Sequence, residues 1–318
     1  MLQRSPIVFF RRFTRFTGGH LKVWHYFGHV RSSRQFEPWI YFAPGSRMDD
    51  TNPWNRAKDR IITRWPPADD VTLFLGGRDW EALEEKRRAD ARFPIINLIQ
   101  GVGHASVADK RYEFLSRRAI RICVSDFVAG AIRKTGRVNG PVFTIRNGQD
   151  LDELPSVVPF SLRKFDLCIV AMKSRLMGES LSKLIEDNFP GRLQTMVIPK
   201  FLPRRAFLEI LGQSRVAIFL PRHTEGFYLP ALEAMALQTL CICPDVGGNR
   251  EFCVPEETCI MPAYELPELL GAVERCVKMS EQDKSVMCRQ ASKVCAGHTL
   301  DDERIRFVNI LDNLNEIW

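Results

Sequence analysis

Apolar residues along the chain gather in short runs, and stretches of mixed, helically spaced character separate them. Runs at Ile7–Phe10, Trp39–Phe42, Val71–Leu75, Ile95–Ile99, Ile120–Val124 and Val142–Ile145 are rich in β-branched and aromatic residues, the composition of strands covered on both faces. Apolar positions recur with helical period at Trp80–Asp90, Ala105–Arg118 and Phe127–Lys134, while Pro44–Pro67 reads as loop. The pattern lapses at Asn147–Pro159, where an Asn-Gly turn signal is followed by two prolines and few apolar anchors. It then restarts. Strands are predicted at Asp166–Ala171, Leu193–Ile198, Arg215–Leu220, Leu240–Cys243 and Cys259–Met261. Helices are predicted at Glu179–Asn188, Arg204–Leu211 and Pro230–Leu237, and three more at Leu266–Met279, Glu281–Cys295 and Asp301–Glu316.

Alternation of strand and helix implies parallel sheets, because a crossover helix returns the chain to the same edge. Two such blocks predict an α/β fold of two Rossmann-like domains, residues 1–155 and 156–300, with a terminal helix over 301–318. Ligands of such sheets lie at the carboxyl ends of strands, so a cleft between the two domains is the expected site.

Composition narrows the class. The chain has 318 residues, 45% apolar and 26% charged, which excludes bulk disorder and low-complexity architectures. No apolar run approaches the ~20 residues of a membrane-spanning helix. Pro6–Phe10 is too short for a secretory signal and runs straight into Arg11 and Arg12. Nine cysteines without a CxxC pair read as buried thiols of a reducing cytoplasm. The net charge of +7 is local: residues 1–60 carry eleven Lys or Arg against four Asp or Glu, which is the whole surplus. Such an end suits an anionic membrane face or a phosphorylated carrier, against the plainer alternative of a solvated face. No nucleic-acid-binding signature accompanies it, so nucleic acid is not an expected partner.

The chemistry concentrates in Val216–Phe252. A buried strand ends at Leu220-Pro221, and a polar loop with Glu225-Gly226 follows. A helix then opens with Pro230, whose missing N–H costs nothing in the first turn. The free amides near Phe227 to Leu229 form an anion site at a strand's carboxyl end. Glu225 and Glu233 flank it. Carboxylates are poor phosphate ligands and good acceptors for sugar hydroxyls, so the set fits a nucleotide-sugar. On spacing alone, a plainer account stands beside this: Glu233 complementing the helix dipole and Glu225 a surface acid.

The run Glu225-Gly226-Phe227-Tyr228-Leu229-Pro230-Ala231-Leu232-Glu233-Ala234-Met235-Ala236 resembles the E-x7-E donor signature of retaining family 4 glycosyltransferases of GT-B fold. Val246-Gly247-Gly248-Asn249-Arg250-Glu251 resembles that family's next loop, and Ile145-Arg146-Asn147-Gly148-Gln149-Asp150 the run that ends its first domain. The resemblance is good over about residues 120–260 and weak over the first hundred. It implies two Rossmann-like domains facing a cleft, with the last helix returning to the first. It implies a nucleotide diphosphate-sugar as donor substrate, no separate cofactor or metal ion, and a glycan or lipid-linked hydroxyl as acceptor. By it, Glu225 meets donor-sugar hydroxyls, Glu233 the donor ribose, and Gly226, Phe227, Tyr228 and Leu229 line the sugar and diphosphate. Two cations of the family neutralise the diphosphate. Here Lys173 and Arg175 are the candidates, in reversed order and at shorter spacing. The role implied is surface polysaccharide or glycolipid synthesis in the cytoplasm, with peripheral contact at the inner membrane face.

The sequence departs from the family in several places. Tyr228 replaces a usual glycine. Gln100 stands where many members have a reaction-centre His, with His104 four positions on as the alternative. Gly18 and Gly19 fit the glycine-rich first loop, after an insertion of seven basic-rich residues. These departures keep two alternatives open: a silent, transferase-like binding subunit, and a sugar-nucleotide epimerase of the same fold. His25 and His29 share a helical spacing without a third ligand, and Asp49-Asp50 and Asp69-Asp70 lack D-x-D spacing, so no metal site is expected.

Overall fold

The computed structural model describes residues 4–318 except 66–69, 86–87 and 89–91. The chain divides into two compact units, Met1–Asn147 with Leu300–Trp318, and Gly148–Thr299. In the first, strands β1 (Ser5–Arg11), β2 (Phe36–Phe42), β3 (Ile61–Ile62), β4 (Thr72–Gly76), β5 (Ile95–Ile99), β6 (Ile120–Cys123) and β7 (Val142–Thr144) form one parallel sheet in the order β3-β2-β1-β4-β5-β6-β7. The strands of its centre are buried on both faces, which is why they read as unbroken apolar runs. Helix α1 (Gly18–Arg31) follows β1, and α2 (Asp126–Arg133) follows β6, capped by Ser125.

Helix α1 has no counterpart among the predicted elements. Eight of its residues are buried, polar ones among them, so no single apolar stripe marks it. The predicted helix Ala105–Arg118 is instead two 3₁₀ segments, Val102–Ala105 and Lys110–Ser116. Between them the Asp109 carboxylate accepts the Arg111 amide at 2.9 Å and grips the Arg111 guanidinium at 2.6 Å, local bonds that compete with a continuous helix. Of the predicted helix Trp80–Asp90, a 3₁₀ turn at Asp79–Ala82 is present, and its later part lies largely outside the described residues. Asp69 lies outside them too. The Pro44–Pro67 loop contains a 3₁₀ segment, Pro53–Arg60, anchored by the fully buried Trp54.

The second unit holds β8 (Phe165–Val170), α3 (Arg175–Asn188), β9 (Thr195–Ile198), α4 (Arg204–Gly212), β10 (Ser214–Phe219), α5 (Leu229–Ala236) and β11 (Leu240–Ile242), then α6 (Leu266–Lys278) and α7 (Glu281–Cys295). Its parallel sheet runs β11-β10-β8-β9. Leu167, Ile169, Val216 and Ile218 from the sheet pack against Leu181, Ile185 and Val273. Gly178 lets α3 approach closely, since a Cβ there would lie 2.3 Å from that of Ala171. The predicted strand Cys259–Met261 is reduced to two isolated bridges, Ile242 to Ile260 and Pro255 to Cys259, and Pro262 directly after it cannot donate to a ladder. The buried Arg163 fixes the entering chain, donating to Ser214 O at 2.8 Å and Leu237 O at 2.9 Å. Gln149 N donates to His298 O at 3.0 Å, so the boundary falls after Asn147 rather than at 155.

The terminal helices α8 (Leu300–Asp312) and α9 (Leu314–Ile317) belong to the first unit. Phe307 of α8 meets Tyr26 edge-on at 4.8 Å. Beside it, Glu303 is ion-paired to Lys22 and lies 2.9 Å from His29 Nε2, while Lys22 Nζ lies 3.0 Å from His25 Nδ1. His25 and His29 thus serve to dock α8 on α1. Lys22 and Glu303 are each 1% exposed, so removing either side chain would cost the other a charge partner inside the core.

Candidate active site

The second unit gathers the predicted donor residues at the carboxyl edge of its sheet. Lys173 follows β8, and Glu225 lies on the loop between β10 and α5. Lys173 Nζ donates to Glu225 Oε1 at 2.6 Å, and the same oxygen accepts the Arg222 amide at 3.0 Å. Both side chains remain partly exposed, at 27% and 15%. The loop after β11 holds Glu225 from the other side: Glu225 N donates to Val246 O, and Gly248 N to Glu225 O, each at 3.0 Å.

Glycine chemistry makes this approach possible. A Cβ on Gly248 would lie 2.3 Å from the Gly226 carbonyl, and Gly247 adopts a φ of 84°. Asn249, fully buried, fixes the turn by accepting from Val246 N at 3.0 Å and donating to Pro244 O at 2.9 Å. Asp245 accepts from Gly247 N and pairs with Arg250 at 2.6 Å, which holds its carboxyl below the usual carboxylate range.

Helix α5 opens at Leu229 with Pro230 in its first turn, and no side chain caps it. Pro230 brings no N–H to that first turn, and Ala231 N donates to Tyr228 O at 3.3 Å. The Tyr228 side chain is buried, its ring edge-on to Phe219 at 5.7 Å, with the Lys173 ammonium 5.2 Å from its centre. Burial, first, and then the neighbouring anionic groups push the Tyr228 hydroxyl well above its ordinary value. Phe227 packs on Phe252 and His298, facing inward rather than along the site.

Glu233, the fifth residue of α5, is 3% exposed. Arg204, at the start of α4, donates to its Oε1 at 2.8 Å and to Glu153 Oε2 at 2.9 Å. Desolvation opposes the Arg204 charge, but the two carboxylates outweigh it and raise its value. Sequence reasoning missed Arg204, since nothing in a helix-start Arg signals a partner 29 positions away.

Of the remaining candidates, Arg175 lies in the second unit and His104 in the first. Arg175 is the first residue of α3 and turns outward, 70% exposed, to pair with Glu179 at 2.7 Å one turn along. His104 is 1% exposed in the first unit, and neither ring nitrogen has a full hydrogen bond. Burial, then Arg111 and Arg121, push its value down to about 3, so the ring is neutral near pH 7. Gln100, after β5, donates to Gly19 O at 3.2 Å, which joins it to the Gly18-Gly19 opening of α1 capped by Thr17. His20, next along, is pushed down to about 4 by burial and by Arg11.

Among the described residues no group of three or more His, Cys, Asp or Glu is placed to hold a metal ion. No described helix is long and apolar enough to cross a membrane.

Comparison with known proteins agrees with this arrangement. The family described as glycosyl transferases group 1 matches residues 180–293, a span that contains Glu225, Glu233 and the Gly247-Gly248 loop. No curated protein sequence matches the chain. Solved structures do. HepE of Anabaena, in complex with UDP-glucose, superposes with a TM-score of 0.74 at 12% identity, over 98% of this chain and 100% of that one. Sucrose-phosphate synthase of Thermosynechococcus elongatus gives 0.71 at 12% identity, over 98% and 100%. A glycosyltransferase of Rickettsia africae gives 0.68 at 14% identity, over 96% and 97%. The two parallel-sheet units and these superpositions together give the chain the GT-B glycosyltransferase fold, with its glycosyl transferases group 1 segment at residues 180–293.

Proposed function

We propose that the chain is a retaining glycosyltransferase that moves a sugar from a nucleotide diphosphate-sugar to a hydroxyl of a glycan or lipid-linked acceptor, without a metal ion. The observation that carries this reading is the 2.6 Å approach of Lys173 to Glu225 beside the uncapped start of α5, with Glu233 on that helix. A cation and a helix N-terminus serve the diphosphate, and two carboxylates serve hydroxyls. As the bond to the sugar breaks, charge develops on the departing diphosphate. Lys173, with the start of α5 beside it, would meet that charge already in place, which lowers the barrier without reorganisation. Glu225 accepts a sugar hydroxyl whose acidity rises as the ring gains positive character. Glu233, held by Arg204, is assigned to the ribose. The retaining outcome rests on the likeness of residues 225–236 to the retaining signature.

The first unit supports the proposed acceptor class. Arg12 and Arg15, after β1, and Arg47, after β2, are exposed on two loops joined by Arg47 N to Phe13 O at 2.7 Å. Exposed guanidinium groups on linked loops favour a phosphorylated or lipid-linked acceptor and peripheral contact with an anionic cytoplasmic membrane face. That supports a place in surface polysaccharide or glycolipid synthesis. The sealed His104 and the outward Arg175 favour a second reading, a silent binding subunit.

Thermal unfolding with a panel of UDP-, GDP-, dTDP- and CMP-sugars tests the proposal. UDP-glucose heads the panel because HepE was solved with it. A ligand at ~100 times its dissociation constant adds ~2.7 kcal/mol, visible as a raised Tm. Binding of one donor, with its slow hydrolysis by pure protein, supports an enzyme. Binding without hydrolysis or transfer leaves the silent subunit, and product from donor alone without hydrolysis marks an epimerase. No shift with any donor sinks the proposal.

A further inference from the structure

We infer that Tyr228 is a positioning residue for Lys173, and that Glu225 and the donor diphosphate compete for that one lysine. The inference rests on the donor site proposed above and concerns how that site works.

Three contacts carry it. The Lys173 ammonium is held at 2.6 Å by Glu225 and stands 5.2 Å from the centre of the Tyr228 ring. The ring cannot swing away, being 4% exposed and wedged against Phe219. The second cation of the sequence, Arg175, is engaged with Glu179 on its own helix. Lys173 is thus the cation that both the carboxylate and an incoming diphosphate would use.

A cation resting on an aromatic face keeps its place while its charge partner changes. Tyr228 therefore confines Lys173 to the site, and Glu225 occupies it while no donor is bound. An arriving diphosphate must draw Lys173 from Glu225. With the intact donor, sugar hydroxyls donate to the carboxylate and replace the lost contact. With the sugar-free diphosphate nothing replaces it, and Glu225 is left beside added negative charge. The arrangement favours donor over spent nucleotide and so assists release of the product diphosphate. It also gives a role to an aromatic residue standing where the resembling family usually has glycine, a position where a side chain would otherwise only crowd the site.

The test is calorimetric binding of the tightest nucleoside diphosphate, its monophosphate and its intact sugar donor. The proteins are wild type, Glu225→Gln, Lys173→Met, Tyr228→Phe, Tyr228→Leu and the Glu225→Gln/Lys173→Met double variant, each checked by thermal unfolding. Freed from an ion pair, Lys173 in Glu225→Gln should bind the diphosphate about three- to tenfold more tightly, the scale of a partly exposed pair. The gain should be absent for the monophosphate, absent in the double variant and reversed for the intact donor. Tyr228→Leu should weaken diphosphate binding about three- to tenfold without touching the monophosphate, and Tyr228→Phe should restore it, since the ring face and not the hydroxyl matters. Unchanged or weaker diphosphate binding by folded Glu225→Gln overturns the competition while leaving the donor site intact, provided Lys173→Met weakens binding. Equal losses for mono- and diphosphate in Tyr228→Leu overturn the positioning role. If no diphosphate binds wild type, the donor site and the inference fall together.

Discussion

Arg204 Nη1 lies 2.8 Å from Oε1 of Glu233, and the same guanidinium reaches Glu153 at 2.9 Å, so one arginine joins α4, α5 and the chain entering the second unit. Glu233 is buried, and a buried carboxylate deprived of its cation keeps the cost of its lost solvation. Arg204→Met should therefore lower stability by about 1–3 kcal/mol. Denaturant midpoints check this. The variant should also lose affinity for nucleoside mono- and diphosphates alike, because the proposed donor site assigns Glu233 to the ribose that both carry. A stable Arg204→Met protein with normal nucleotide affinity would separate Arg204 from the site.

Acid should destabilise the first unit through its buried imidazoles. His104 and His20 are held near 3 and 4 in the folded chain, against an ordinary 6.5. Between those values the unfolded chain binds more protons than the folded one, so stability rises with pH across that window. It is fully present above about 6.5 and declines as pH falls, by up to about 1.4 kcal/mol per pH unit for each group. Burial first disfavours the charge on His104, and Arg111 and Arg121, two cations against the single anion Asp109, disfavour it further. Melting curves from pH 7 to pH 4 should show a falling Tm, and His104→Leu should flatten the fall. An equally steep slope in that variant would trace the effect elsewhere.

What the sequence conveys about this protein depends on how local each feature is. The strands of both sheets other than β3 were legible because burial on both faces leaves unbroken apolar runs such as Ile95–Ile99, whereas the two-residue β3 falls in the Pro44–Pro67 stretch that reads as loop. The Glu225 and Glu233 pair was legible because loop and helix are adjacent in the chain. Helix α1 was not, because Glu303, the carboxylate that holds its buried Lys22 and His29, lies more than 270 residues away. Arg204 was hidden for the same reason. Arg175 shows the reverse case: its place in the sequence fits a diphosphate ligand, and a helical neighbour four positions on claims it instead.

The basic loops of the first unit make a separate prediction. If Arg12, Arg15 and Arg47 meet an anionic surface, the protein should bind anionic vesicles more tightly than neutral ones, and salt should weaken the binding. Each exposed arginine contributes on the order of 1 kcal/mol near such a surface. The Arg12→Gln/Arg15→Gln/Arg47→Gln protein should lose most of the preference in a sedimentation assay while keeping its Tm. Equal, salt-independent binding to both vesicle types would leave these arginines as solvated surface.

The two carboxylates should fail in different ways. Glu233 is buried on α5 and held by Arg204, whereas Glu225 lies on the loop and is held by a lysine that a diphosphate can draw away. On the proposed function, Glu233→Gln removes a contact to the nucleoside, which is present before, during and after transfer. Its loss should appear as weaker binding of donor and of sugar-free nucleotide alike, with turnover at saturation little changed. Glu225→Gln removes the proposed sugar contact, which would strengthen as the sugar gains positive character, so its loss should fall on the transition state. Turnover should fall by about 30- to 1000-fold, or ~2–4 kcal/mol. Sugar-free nucleotide should still bind, and more tightly than before. Side-by-side measurement of kcat, donor KM and nucleotide Kd in the two variants decides the matter. A Glu225→Gln protein that turns over donor at the wild-type rate, with its fold intact, would remove Glu225 from the reaction and the E-x7-E assignment with it.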